Sequence, residues 1–173
     1  VLMRQAMEMG ADVVGGLPWI EWTDELARRH IDFMFDLAQE FDKPLHFLCD
    51  DAKSPMARTL EQVAAKTLQT GLYGRVASSH NGALSSYPEA HAYKVMNLIR
   101  NAEMNISCNS HVNLLGEVTR VHDLVDLGVN VSIGQDDLDN FYYPFGRCDP
   151  LEWAWSMAHA GSFAYPRGIE QVF

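Results

Sequence analysis

Val129-Asn130-Val131-Ser132-Ile133-Gly134-Gln135-Asp136-Asp137 is the stretch that decides the fold. Its opening residues are β-branched and largely apolar, as in a strand buried on both faces, and the run ends in glycine, an amide and two carboxylates. Four other short segments repeat the design, at residues 12–16, 44–49, 75–79 and 105–109. They are followed by Pro18-Trp19-Ile20-Glu21-Trp22, Asp50-Asp51, His80-Asn81-Gly82 and Ser110-His111-Val112-Asn113. Each apolar segment therefore delivers polar, chemistry-bearing residues at its C-terminal end.

The intervening stretches have helical periodicity. Residues 24–41 carry Leu26, Ile31, Phe33, Met34, Leu37 and Ala38 at that spacing. Residues 59–70 carry Leu60, Val63, Ala64 and Leu68, and residues 90–101 carry Val95, Leu98 and Ile99. A shorter helix is expected over 117–127, with Val118, Val121, Leu124 and Val125. Residues 151–160 predict a further helix whose Trp153, Trp155 and Met157 read as core, and residues 3–8 read as a helix already under way. Gly10, Gly71 and Gly128 stand where left-handed C-caps are needed, and Asp42-Lys43-Pro44 closes another helix.

Five strands joined by helical crossovers make either a small open α/β sheet or five-eighths of an eight-stranded barrel. Two features favour the barrel. No glycine-rich phosphate loop follows any strand, and catalytic-type residues follow every strand instead of clustering at one switch point. The expected fold is thus α/β, a (β/α)8 TIM-type barrel of which the chain supplies about strands four to eight. A complete barrel takes about 250 residues, and the chain has 173. No linker, low-complexity tract or charge run divides it, so residues 1–173 are expected to form one partial barrel domain.

Bulk properties narrow the function. A net charge of −10 argues against a nucleic-acid or anionic-membrane surface, which would repel an acidic protein. No apolar run approaches the ~20 residues of a membrane span, and no secretory pattern is read at the start. Three widely spaced cysteines, Cys49, Cys108 and Cys148, are neither a disulfide framework nor a zinc ribbon, and they suit a reducing cytoplasm.

Several residues can carry chemistry. Asp136 and Asp137, at the end of the clearest strand, can bind a metal or act as general base. His80, directly after its strand, can ligate a metal or polarise a substrate. Of Asp50 and Asp51 only one can point into a pocket. His46 and Leu48 share one strand face, and His46 reads either as a ligand or as a hydrogen-bonded core histidine. Trp19 and Trp22 could stack on a planar ring or simply pack. His111 is a weaker candidate, and His30, His91, His122 and His159 read as structural or solvent-facing.

In this order the residues resemble the amidohydrolase superfamily, in its cytosine-deaminase-like branch. The resemblance lies in residues 10–15, Cys49-Asp50-Asp51, Ser79-His80, Gly128-Val129-Asn130-Val131, Gly134-Gln135-Asp136-Asp137 and Tyr143-Pro144-Phe145-Gly146. It implies a (β/α)8 barrel that uses one divalent metal, zinc or iron, to activate water against a ring C–N bond. It also implies roles. Asp136 matches a metal ligand and base, His80 a residue contacting the metal-bound water or substrate, and Asp51 stands where cytosine deaminases have a proton-shuttling glutamate. Tyr142 matches an aromatic residue covering the substrate. Leu48 stands where the family has a metal histidine and Gln135 where it has another histidine, so His46 is the candidate to join Asp136 on the metal. The family's His-x-His pair lies outside the chain.

Two functions follow as expectations. The first is a cytoplasmic hydrolase or deaminase acting on a C–N bond of a small heterocyclic substrate. Asp51, His80 and Asp136 would be its catalytic residues, and Trp19, Trp22, Asp137 and Tyr142 would bind the substrate. The second is a metal-free or degenerate barrel that binds a heterocycle without hydrolysing it. Nucleic acid and membrane are not expected partners, and the resemblance implies a homo-oligomer.

Overall fold

A computed structural model describes residues 2–109, 118–136, 138, 141, 146–163 and 168. Helix α1 (Leu2–Glu8) leads into strand β1 (Val14–Gly16). Then α2 (Asp24–Phe41), β2 (Leu45–Cys49), α3 (Thr59–Thr70), β3 (Val76–His80), α4 (Glu89–Asn101), β4 (Asn105–Asn109), α5 (Val121–Asp126), β5 (Asn130–Gly134) and α6 (Pro150–Ala160) follow. The five strands form one parallel sheet in the order β1-β2-β3-β4-β5, each strand beside its sequence neighbour. Every crossover between paired strands that is described contains a helix, as parallel pairing demands. Among the described residues no helix is long and apolar enough to cross a membrane.

Local chemistry explains the element boundaries. The Thr23 hydroxyl accepts from the Leu26 amide and caps α2, with Asp24 and Glu25 in the first turn beside the positive end of the dipole. The helix stops at Asp42, whose φ of 51° places it in the left-handed region. Gly71 closes α3 in the same way with φ 72°, without the Cβ penalty. At the start of α6 the Asp149 carboxylate accepts from the Leu151 amide, with Pro150 opening the helix.

Strand alternation divides the sheet into two faces. Leu45, Phe47, Cys49, Val76, Ile106 and Cys108 are buried on the helix side. There Phe35 of α2 stacks on Phe47 with ring centroids 5.8 Å apart. The other face carries His46, Leu48, Ala77, Ser79, Asn105 and Ser107, in register across the strands. Barrel interiors are normally filled by bulky branched side chains; here β3 and β4 offer mostly small or polar ones.

Two core expectations change. Phe33 is 38% exposed while Phe35 is fully buried, because the apolar face of α2 runs through Ala27, Ile31, Met34, Phe35 and Ala38. Trp155 is 60% exposed and lies against the His159 ring, while Met157 takes the buried position on α6. Beyond these, β3 extends one residue further than expected, so His80 is its last residue.

Candidate active site

The C-terminal ends of β2 to β5 surround a cavity of about 210 Å³. His46 and Leu48 of β2, Ser79 and His80 of β3, and Ser107 and Asn109 of β4 line it. Gly134, Gln135 and Asp136 at the end of β5 complete the wall. Such a cavity at the carboxyl ends of parallel strands is where α/β folds bind ligands.

His80 is the centre of the arrangement. Val76 and Ser78 face the helices, so strict alternation would send His80 to the same side. Its backbone is left-handed instead, with φ 68°, and the imidazole turns into the cavity. Asn81 follows with φ 59°, and Asp50 at the end of β2 has φ 51°. Asn, Asp and His are the non-glycine residues that tolerate this region best, yet such conformations persist only where the surroundings hold them. Here the Asn81 amide donates to the Cys49 carbonyl, and its side chain accepts from the Ser78 hydroxyl and donates to the Ser78 carbonyl.

The imidazole lies between two carboxylates. Asp51 Oδ2 is 3.7 Å from His80 Nδ1, and Asp136 Oδ2 is 3.6 Å from Nε2. Asn109 Nδ2 donates to Nδ1 at 3.3 Å, which makes Nδ1 an acceptor in the neutral ring and leaves the proton on Nε2, facing Asp136. His80 is almost wholly buried and Asp136 is half exposed. A buried imidazole shared by a sheltered and an open carboxylate can take up, hold and release a proton.

The neighbouring aspartates have opposite surroundings. Asp50 is fully buried and accepts from the Thr59 amide, the Thr59 hydroxyl and the Leu60 amide, so it caps α3. Burial raises its pKa and those three hydrogen bonds oppose the rise. Asp51 is left to face His80.

One layer deeper, His46 Nε2 meets the Ser79 hydroxyl at 2.5 Å. Burial lowers the His46 pKa, and the nearby His80 lowers it further. Trp19, half-buried on a 3-10 turn at Pro18–Ile20, does not line the cavity. That turn is held by His30, whose Nε2 accepts from the Leu17 amide while Nδ1 contacts the Glu21 carboxylate at 2.7 Å. Gly16 leaves room for this packing, because a Cβ would come within 3.0 Å of the His30 and Phe47 rings. Trp22 is 93% exposed and also lies outside the cavity lining. Asp137, Tyr142 and His111 lie outside the described residues. The sequence reading missed Ser79, Ser107 and Asn109; the signal was present in Asn105-Ile106-Ser107-Cys108-Asn109, where polar and apolar residues alternate with period two.

A resident divalent metal needs three or four converging protein donors. Among the described residues no three His, Cys, Asp or Glu side chains converge in this way. His80 and Asp136 offer one edge, but the His46 nitrogen is already engaged by Ser79 and Leu48 presents a hydrocarbon to the same cavity. The described donors therefore do not by themselves fit a metal.

Residues 2–158 match the amidohydrolase family. The chain belongs to this family. It is similar to the N-isopropylammelide isopropyl amidohydrolase of Pseudomonas sp. (strain ADP), at 26% identity over 88% of the chain and 37% of that protein. The structure of a 5-methylcytosine deaminase from Klebsiella pneumoniae, liganded with phosphonocytosine, superposes with a TM-score of 0.92 at 30% identity, covering 99% of this chain and 44% of that one. An N-isopropylammelide isopropylaminohydrolase from Burkholderia multivorans shares the fold, with a TM-score of 0.86 at 23% identity over 99% of this chain and 43% of its own. This amidohydrolase chain thus spans well under half the length of these proteins. Its five β/α units are part of a TIM-type barrel, with the cavity at the end where such barrels keep their sites.

Proposed function

We propose that this chain carries the proton-handling part of an amidohydrolase active site that cleaves a non-peptide C–N bond in a small heterocycle. The observation that supports the reading is the His80 imidazole between Asp51 and Asp136, at the C-terminal end of the parallel sheet. In this reading the half-exposed Asp136 carboxylate takes a proton from water as its oxygen attacks the ring carbon. The His80 Nε2–H stabilises the negative charge that develops beside it. Asp51 passes the proton taken up by Asp136 on to the departing nitrogen, the C–N bond breaks, and ammonia or an amine leaves a ring carbonyl behind. General acid–base catalysis of this kind contributes about 10²–10⁴ in rate. A divalent metal, if completed by residues beyond those described, would add Lewis-acid activation of the water; none of the proton transfers above depends on it.

The names of the similar proteins point to an aminated or alkylaminated nitrogen heterocycle as the substrate class. The test is turnover of cytosine, 5-methylcytosine and N-isopropylammelide by the full-length protein, with and without Asp136→Ala. Turnover of one of them that is lost in the variant, with the fold retained, supports the reading. Near-normal turnover in Asp136→Ala overturns the assignment. A second reading, a barrel that binds a heterocycle without hydrolysing it, draws on Leu48, a hydrocarbon where the cavity could have held another donor. Ligand binding without turnover by the full-length protein would favour it.

A further inference from the structure

The cavity contains hydrogen-bonding groups that the proton-handling residues do not use. Ser107 and Asn109 stand two residues apart on β4, on the face that turns to the cavity. Asn109 donates its Nδ2 to His80, and among the described residues its Oδ1 has no partner. The Ser107 hydroxyl likewise has none. Gly134 of β5 pairs with Asn109, and a Cβ there would come within 3.2 Å of the Ser107 oxygen. The missing methyl leaves space beside that hydroxyl. Half-buried polar groups in a cavity, held on a strand and left without partners, are the groups a ligand satisfies.

Resting on the hydrolase reading above, we infer that Ser107 and Asn109 are specificity-determining residues that recognise the N–H/C=O edge of a lactam-type ring. The donor set decides the polarity of that edge. Asn109 Oδ1 can only accept, so it takes a ring N–H. The Ser107 hydroxyl is free to donate, so it meets an exocyclic carbonyl oxygen. Both groups are uncharged, so the preferred ring is neutral. Leu48, on the same face of the sheet two strands away on β2, offers apolar contact to the ring. Asn109 also fixes the edge relative to the chemistry, because the same side chain holds His80.

The test uses the full-length protein and isothermal titration with two probes of the same ring size. Uracil presents the N–H/C=O edge; pyrimidine has neither group. Wild type is expected to bind uracil at least about tenfold more tightly than pyrimidine, since a site built for hydrogen bonds rejects the ring that lacks them. Ser107→Ala should lower uracil affinity by about threefold to tenfold and leave pyrimidine unchanged, with an unaltered thermal unfolding midpoint. Gly134→Ala, which crowds the Ser107 hydroxyl, should weaken uracil in the same direction and gives a second variant should Asn109→Leu disturb His80. Equal binding of both probes to wild type, or a Ser107→Ala protein with unchanged preference, overturns this inference alone. Binding of neither probe overturns the heterocycle reading together with it.

Discussion

The two faces of the same strands follow different rules. On the helix side, Leu45, Phe47, Val76 and Ile106 are sealed under α2, α3 and α4, and the thiols of Cys49 and Cys108 behave as small hydrophobes. Burial pushes the Cys108 thiol up to about 12, well out of the reactive range. One residue along in each strand the surroundings change to His46, Ser79, Ser107 and Asn109 around an open cavity. A period of two puts a hydrophobic core and a polar cavity lining about one residue apart. One face supplies stability, and the other is left free to carry chemistry.

The sharpest way to break this division is to remove one group from each face of the full-length protein. Asp136→Ala should cost about 10²–10⁴ in kcat, with little change in stability because the side chain is half exposed. Steady-state kinetics beside a denaturant melt will show whether the two effects separate. Phe47→Ala removes a fully buried ring that stacks on Phe35 and should cost about 3–5 kcal/mol in urea unfolding.

Asp50 and Asp51 sharpen the comparison within a single dipeptide. Asp50→Ala loses three hydrogen bonds at the start of α3 and should cost about 1–2 kcal/mol of stability. Asp51→Ala should leave the melt nearly unchanged and lower turnover instead. A large melt shift from Asp51→Ala would place it with the supporting residues rather than the reacting ones.

The smallest expected effect concerns pH. The His46 pKa in the folded chain lies below its ordinary 6.5, because burial and the neighbouring His80 disfavour the imidazolium. The unfolded chain therefore binds this proton more readily. His46 contributes its stability above about pH 6.5, and that contribution drains away as pH falls below it. Unfolding measured from pH 7.5 to 5 should steepen in wild type relative to His46→Gln.

Much of the fold was legible in one dimension. Helix 24–41 carries a period, a cap and a stop in its local sequence, helix 59–70 a period and a stop, and the strand ending at Gly134 an apolar β-branched run, and the structure keeps all three. Where the reading slipped, the deciding interactions were distant. Phe33 and Phe35 both fit an apolar helix face approximately, and only the position of Phe47 selects Phe35. The tryptophans after β1 suggested a ring-binding wall, yet their turn is tied down by His30 from α2, and neither lines the cavity.

The sequence by itself determined which segments are strands, that helices separate them, and that their C-terminal ends are where polar chemistry gathers. These are local properties of periodicity and backbone preference. Only the tertiary structure decided that Asp50 caps α3 while Asp51 faces His80, that a left-handed His80 leaves the strand alternation to meet Asp136, and that Ser107 and Asn109 face the same cavity. Those outcomes depend on which strands pair and in what register. Such contacts join residues far apart in the chain, and no local pattern encodes their geometry.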